Sequence, residues 1–170
     1  MAGQRLEAEW VRAWCERADE AIAELTRSFQ ERHGFPPGEN AVVLATEASH
    51  KATDALVALT PIPSDLTTMF WVIDEVSLPD VDIGYFIHSP SMVASHFRAY
   101  GPVQIDREEA ALVFASDGGG HLFALACSGR VWRSTTASSF DEFDCAAASL
   151  QELFEGLARR MSSHVHPISD

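Results

Sequence analysis

The spacing of apolar residues changes partway along the chain, from a helical repeat to short alternating runs. Residues 5–33 carry apolar side chains every three or four positions with charged residues between them, which predicts one long amphipathic helix. The same spacing predicts helices over 47–59 and over 65–76, the latter with Ser64 as its N-cap. The apolar face of this third helix is expected to consist of Leu66, Met69, Phe70, Ile73 and Val76.

From Ile83 onward the pattern predicts consecutive β-strands separated by glycine-rich turns. The predicted strands cover 84–89, 111–116, 121–128 and 130–135. A short helix over 91–100 and an extended piece at 102–105 separate the first two, and a final helix covers 149–161, with Ser149 as its cap and Glu152 completing a capping box. Helices, then strands, then a helix predict an α+β domain with helices packed on one face of a mainly antiparallel sheet.

Length and composition favour one folded, intracellular domain over 1–170. The chain has 170 residues, of which 46% are hydrophobic and 22% charged, so it carries more apolar material than disordered sequences do. The helix over 5–33 is interpreted as an N-terminal extension whose far end overhangs the domain. We expect a cytoplasmic protein, because the sequence shows no signal-peptide pattern and no apolar run of about 20 residues. Cys15, Cys127 and Cys145 form no CxxC pair, which favours reduced thiols over disulfides or structural zinc.

The charge distribution points to a basic protein as the partner. With 25 acidic and 12 basic residues, the net charge of −13 argues against binding nucleic acid or an anionic membrane. No lysine or arginine lies between Lys51 and Arg98, and none between Arg133 and Arg159. The simpler interpretation of these stretches is a solvated acidic surface. Under the alternative, in which opposite charge steers a partner, the first stretch is the predicted binding surface, through Asp74, Glu75, Asp80 and Asp82. In the second stretch Asp141, Glu142 and Asp144 are expected to matter less.

Asp117, Gly118, Gly119 and Gly120 are predicted to form a structural turn between two strands. Glycine tolerates positive φ, and the aspartate side chain can accept hydrogen bonds from turn amides. On this hypothesis Gly119 needs positive φ, so Gly119→Val should cost a few kcal/mol and Asp117→Ala about 1 kcal/mol. A phosphate-binding loop would instead lead into a helix.

Seven histidines raise the question of metal binding or catalysis. There is no HExxH motif and no GxSxG nucleophile elbow, and the pair at 164 and 166 has no third ligand nearby in the sequence. We therefore predict no catalytic residue, no metal and no cofactor. A hydrolase or metalloenzyme would require His88, His96 and His121 to cluster in an open pocket.

Three segments in order resemble the SUKH superfamily, which includes the homologues of yeast cell-wall-assembly regulators. These segments are 62–89, 111–132 and 146–157, and the resemblance spans 46–161, with the FASDGGG turn and the following FAL strand as its most specific part. The resemblance implies an α+β fold and a non-enzymatic binding protein. Many bacterial members are immunity proteins that neutralise toxins, often nucleases, in the cytosol. A regulatory or scaffold adaptor with a cellular partner is the alternative.

Overall fold

Helices and one antiparallel sheet make up the regular structure of the chain. The computed structural model describes residues 5–106, 109–138 and 142–165. In these residues the helices are α1 (Ala8–His33), α2 (Glu47–Leu59), α3 (Ser64–Val72), α4 (Pro90–Tyr100) and α5 (Leu150–Val165). The strands are β1 (Ala41–Leu44), β2 (Ile73–Leu78), β3 (Tyr85–Ile87), β4 (Val103–Gln104), β5 (Ala110–Asp117), β6 (Leu122–Ala126), β7 (Val131–Ser134) and β8 (Phe143–Ala147).

The strands form a sheet in the order β1-β2-β3-β5-β6-β7-β8, and each neighbouring pair is antiparallel. Strand β4 pairs with β5 outside this order. Because β5 is eight residues long, β3 pairs with its Ala115–Asp117 end and β4 with its other end, at Ala110 and Ala111. Helix α4 connects the two short strands. The prediction of an α+β fold with long N-terminal and C-terminal helices is confirmed.

The main core lies between the sheet and the helices. A bulge in β5 follows Val113, and both Phe114 and Ala115 belong to this core. Phe70 of α3 and Phe154 of α5 are fully buried in the same cluster. A second, smaller cluster is formed by alternate residues of the strands, namely Val103, Ala111, Val113, Ala124 and Ala126, with Trp132 packed against it.

Helix α1 is built into the main core rather than attached beside it. Trp14 is fully buried, its indole N–H donates a hydrogen bond to the Phe154 carbonyl at 2.8 Å, and its ring meets the Phe154 ring edge-on at 4.6 Å. The helix ends where the sequence predicts, because Gly34 adopts a left-handed conformation with φ of 75° and donates to the Gln30 carbonyl. Residues 30–33 at its end are all exposed, whereas buried residues recur along the helix from Val11 to Leu25, so this earlier part packs into the core.

Local signals located several helix ends correctly. Helix α2 has the predicted bounds, with a capping box in which the Thr46 hydroxyl accepts from the Ser49 amide and the Thr46 amide donates to the Ser49 hydroxyl. At the start of α5, the Ser149 hydroxyl accepts from the Glu152 amide at 3.1 Å, as predicted. The Glu152 carboxylate accepts from the amide of Ala148, one residue before the cap.

The predicted helix over 65–76 is wrong in its second half. Helix α3 ends at Val72, and Ile73–Leu78 is strand β2, paired with β1 on one side and β3 on the other. Ser64 is the first helical residue and Pro63 the cap. The apolar spacing of Ile73 and Val76 fits a helix, but pairing with β1, which lies before α2 and α3 in the chain, and with the following strand β3 decides the conformation. Strands β1 and β8 were not predicted; both are short and lie at the sheet edges.

Candidate functional site

Two groups of residues singled out in the sequence meet at one end of the molecule, which we call the turn end. It consists of the β2–β3 turn, residues 79–84, and the β5–β6 turn, residues 117–121. The amide of Gly118 donates to the Gly84 carbonyl at 3.0 Å. A Cβ on Gly118 would lie 1.8 Å from the carbonyl oxygen of Ile83, so only glycine fits there. The two turns therefore fix each other's position.

Asp117 is the centre of the turn end. Its side chain is fully buried, and its Oδ1 accepts from the Gly119 amide at 2.9 Å, the His121 amide at 3.0 Å and His121 Nδ1 at 3.2 Å. Its Oδ2 accepts from Arg133, at 2.7 Å from Nη2 and 3.2 Å from Nε. Burial alone would raise the pKa of Asp117, but the hydrogen bonds from Arg133, His121 and Gly119 outweigh it and hold the pKa below its ordinary value. The carboxylate is thus ionised at neutral pH and fully occupied by donors.

The backbone of the glycine turn differs in one respect from the prediction. Positive φ occurs at Gly120, at 82°, and not at Gly119. Gly118 and Gly119 are the central residues of a turn that the Gly120 amide closes onto the Asp117 carbonyl at 3.0 Å, and Gly120 follows them in the left-handed region. All three glycine amides donate within the protein, to Gly84, to the Asp117 side chain and to the Asp117 carbonyl. These amides are therefore not available to hold a phosphate.

The four carboxylates of the predicted partner surface fall into two pairs. Asp80 holds the segment before β1, because its Oδ2 accepts from the Gly38 amide at 2.8 Å and the Asn40 side-chain amide at 2.7 Å. Asp82 accepts from the Tyr85 hydroxyl at 3.0 Å and lies 3.6 Å from Arg160 Nε. These two residues are engaged in structural bonds.

Asp74 and Glu75 are placed differently from the prediction, on strand β2 instead of a helix. Glu75 stands opposite Val43 of β1, and Asp74 occupies the bulge where the pairing shifts. Both side chains are half-buried, and within the described residues neither takes part in a hydrogen bond or ion pair. Three acidic residues of the second stretch were expected to matter less. Of these, Glu142 and Asp144 are exposed, and Asp141 lies outside the described residues.

A cleft of about 370 Å³ adjoins the turn end, between α5 and the sheet. Tyr85, Phe123 and Arg133 line its sheet side, and Arg159 and Arg160 line its helix side. The Arg160 guanidinium lies over the Tyr85 ring at 5.4 Å. Two of these three arginines are already paired with carboxylates, Arg133 with Asp117 and Arg160 with Asp82. The charges of the cleft are therefore largely balanced from within.

The three candidate histidines do not form one cluster. His88 Nε2 lies 2.9 Å from the Ser116 hydroxyl, and burial lowers the pKa of His88, with nearby His96 lowering it further. His121 is bound to Asp117. Over the described ranges no group of three or more histidine, cysteine or acidic residues is arranged to hold a metal ion. Burial raises the pKa of the Cys15 thiol to about 11, with Asp19 and Glu16 adding to the shift, so this thiol is not poised as a nucleophile.

Sequence reasoning missed one surface feature, the exposed side chain of Trp71 at the end of α3. It stacks on the His50 ring at 3.9 Å with an interplanar angle of 13°. A signal was present, because Trp71 falls outside the apolar face formed by Leu66, Met69 and Phe70, and a tryptophan on the polar side of an amphipathic helix is unusual.

No protein-family model matches the chain, and no curated protein matches it. The SUKH resemblance therefore stays a prediction that depends on the motifs themselves. In the part of the chain that the structure describes, no helix is both long enough and apolar enough to span a membrane.

Proposed function

We propose that this chain is a non-enzymatic binding protein of SUKH type that recognises a basic protein. More specifically, we propose an immunity protein that neutralises a basic toxin domain, with nucleases as the first class to test, in the cytosol of a bacterium. The observation that carries the proposal is the separation of charge in three dimensions.

The stretch between Lys51 and Arg98 folds into one continuous flank of the molecule. It contains most of α2 together with α3, β2, β3 and most of α4. In this flank α2 packs against α3 and α4, and β2 pairs with β3. The flank has six carboxylates and no lysine or arginine of its own. Among the ion pairs of the described residues, Arg160 is the one cation brought to it, at Asp82. The flank thus contributes carboxylates and no lysine or arginine of its own to the surface, and Arg12 of α1 and Lys51 of α2 border it.

Such a surface suits a partner that itself binds polyanions. A nuclease carries positive charge where the nucleic acid backbone lies, because most of its affinity comes from phosphate contacts. A protein with a net charge of −13 is attracted to that region, associates faster than a neutral one and competes with the substrate for the same field.

The polar groups of the turn end offer no opening for a substrate. Its buried carboxylate, its arginine and its glycine amides are occupied by bonds that hold the two turns together. A catalytic group needs at least one position open to the substrate. The polar groups there are therefore better explained as structure.

Co-expression with the toxic product of an adjacent gene tests the proposal. We expect the chain to restore growth, and we expect purified complex formation to slow as salt rises. The variant carrying Asp74→Lys and Glu75→Lys should associate more slowly than wild type, whereas Glu142→Lys with Asp144→Lys is the matched control and should change the rate less. The immunity role would be contradicted if the chain failed both to restore growth and to bind the toxic protein. Binding to a non-toxic cellular protein alone would favour the adaptor alternative.

A further inference from the structure

Trp71 is exposed to an extent that core packing does not require. Its side chain is 53% exposed, whereas Trp14 is fully buried and Trp10 and Trp132 are half-buried. Two further apolar side chains beside it are exposed, Leu44 of β1 at 54% and Val57 of α2 at 48%. Contiguous exposed apolar groups of this kind mark interaction sites on soluble proteins. We call Trp71, Leu44, Val57 and the two depressions described next the Trp71 surface.

Trp71 forms the ridge between two depressions. On one side, a groove of about 620 Å³ is lined by Val57, Pro61 and Ile62 between α2 and α3. On the other side, a cleft of about 370 Å³ lies between α1 and the end of β1, with Leu44 in its wall. A partner can therefore place side chains on both sides of the indole at once.

His50 holds the indole in place before any partner arrives. The His50 ring covers one face of Trp71, and its Nε2–H donates to the Trp71 carbonyl at 2.9 Å. A side chain that is fixed in advance loses little conformational entropy on binding. Tryptophan is also the residue type most enriched among those that dominate binding energy.

The rim of this surface is acidic on both sides. On α2, Glu47, Asp54 and Val57 fall on the same helical face as His50, at spacings of three and four residues. On α1, Glu16 and Asp19 line the second cleft. All four carboxylates are exposed. Two cations of the described residues lie among them: Arg12, which lines the same cleft, and Lys51, which is 3.8 Å from Glu47.

This combination of an apolar centre and an acidic rim selects a basic partner. Interfaces typically have an apolar core and a polar rim, and opposite charge across the rim sets partner choice. A second copy of this chain is disfavoured, because a two-fold contact would place the same acidic rim against itself. Like charges brought together across an interface destabilise it.

We propose that the Trp71 surface is the anchor of partner binding. It accepts a basic protein segment that inserts apolar side chains beside the indole and aligns lysine or arginine with Glu16, Asp19, Glu47 and Asp54. The chemical nature of the partner rests on the proposed function, whereas the position of the contact does not.

A phage library of random short peptides, selected against the intact protein, tests this anchor. We expect the enriched peptides to carry net positive charge together with leucine or aromatic residues. They should bind Trp71→Ala roughly tenfold more weakly or worse, the loss that follows from truncating a dominant contact residue. Asp54→Lys should also weaken them. The control is Ile83→Ala, because Ile83 is similarly exposed at 51% but lies at the turn end. A single cooperative melt of Trp71→Ala within a few degrees of wild type establishes that the variant is folded.

Three results would overturn the anchor: no enrichment, enriched peptides without a basic excess, or binding that Trp71→Ala leaves intact. Sedimentation showing a dimer that Trp71→Ala dissociates would assign the surface to a second copy instead. The growth assay separates this inference from the function. Growth rescue that Trp71→Ala leaves unchanged would refute the anchor alone, whereas Trp71-dependent basic peptides without rescue would refute the immunity role alone.

Discussion

At the turn end, a fully buried carboxylate accepts hydrogen bonds from two backbone amides, a histidine and an arginine. At the Trp71 surface, an indole that is 53% exposed lies among carboxylates that few cations offset. In the first region the buried carboxylate and the glycine amides all have partners within the chain. The second leaves apolar area and negative charge facing outward.

The contrast separates groups that hold the fold from groups available to another molecule. A buried polar group without a partner costs free energy, so a fully matched one is explained by stability. An exposed apolar cluster contributes little to stability and carries a risk of aggregation, so its presence indicates a contact. The acidic residues predicted from sequence fall on both sides of this division. Asp80 and Asp82 belong with the first kind, and Asp74 and Glu75 with the second.

Asp117→Ala should give the largest loss of stability, about 3 kcal/mol at pH 7, because it leaves Arg133 and several donors unpaired in a buried site. This exceeds the expectation from sequence of about 1 kcal/mol, which counted one turn hydrogen bond. Urea denaturation of wild type and Asp117→Ala measures this loss of unfolding free energy.

The stability lost in Asp117→Ala should depend on pH. The pKa of Asp117 is lowered in the folded state, so its contribution is present above the ordinary carboxyl range and is lost as pH falls through the folded pKa. The difference in unfolding free energy between wild type and Asp117→Ala should therefore shrink below about pH 4. A difference that stays constant down to pH 2 would argue against an ionised Asp117.

Gly118→Ala should give the next largest loss of stability, about 2 to 3 kcal/mol, because the new Cβ would collide with the Ile83 carbonyl and push the two turns apart. Gly119→Ala is the matched control, since its Cβ would meet the edge of the His121 ring at 3.1 Å, and that side chain can shift. Thermal melts of both variants measure the two losses of stability, and Gly118→Ala should show the lower melting temperature. A larger loss for Gly119→Ala would show that the close approach is at the wrong glycine.

Asp80→Ala should cost about 1 kcal/mol, because Gly38 and Asn40 lose their acceptor and the segment before β1 is released. Glu75→Ala, from the same predicted surface, should change stability by less than about 0.5 kcal/mol. Equal effects in a denaturant titration would remove the distinction between engaged and available carboxylates.

Trp71→Ala should also have a small effect on folding, about 1 kcal/mol or less, because much of the indole is already in contact with solvent. Trp14→Phe is the opposite case and should cost clearly more, since the Phe154 carbonyl loses its buried donor. Comparing the two melting temperatures measures the difference. A strong destabilisation by Trp71→Ala would mean that the indole serves the core.

The sequence by itself determined the fold class and several helix ends. These signals are the apolar period, Gly34 and Ser149. Each acts through residues nearby in the sequence, so it predicts a helix or its end without knowledge of the tertiary structure. The glycine-rich turn was likewise located correctly between β5 and β6, because turn chemistry is local.

Only the tertiary structure decided which residues act together. Ile73 begins a strand because it pairs with Leu44 of β1, from a distant part of the sequence. Asp117 owes its low pKa to an arginine 16 residues away on β7, and Gly118 owes its constraint to a carbonyl on a different turn. Trp71 becomes part of a surface only when α1, α2 and β1 are placed around it. In each case the deciding contact joins residues far apart in the chain, and apolar spacing along the sequence contains no information about such pairs.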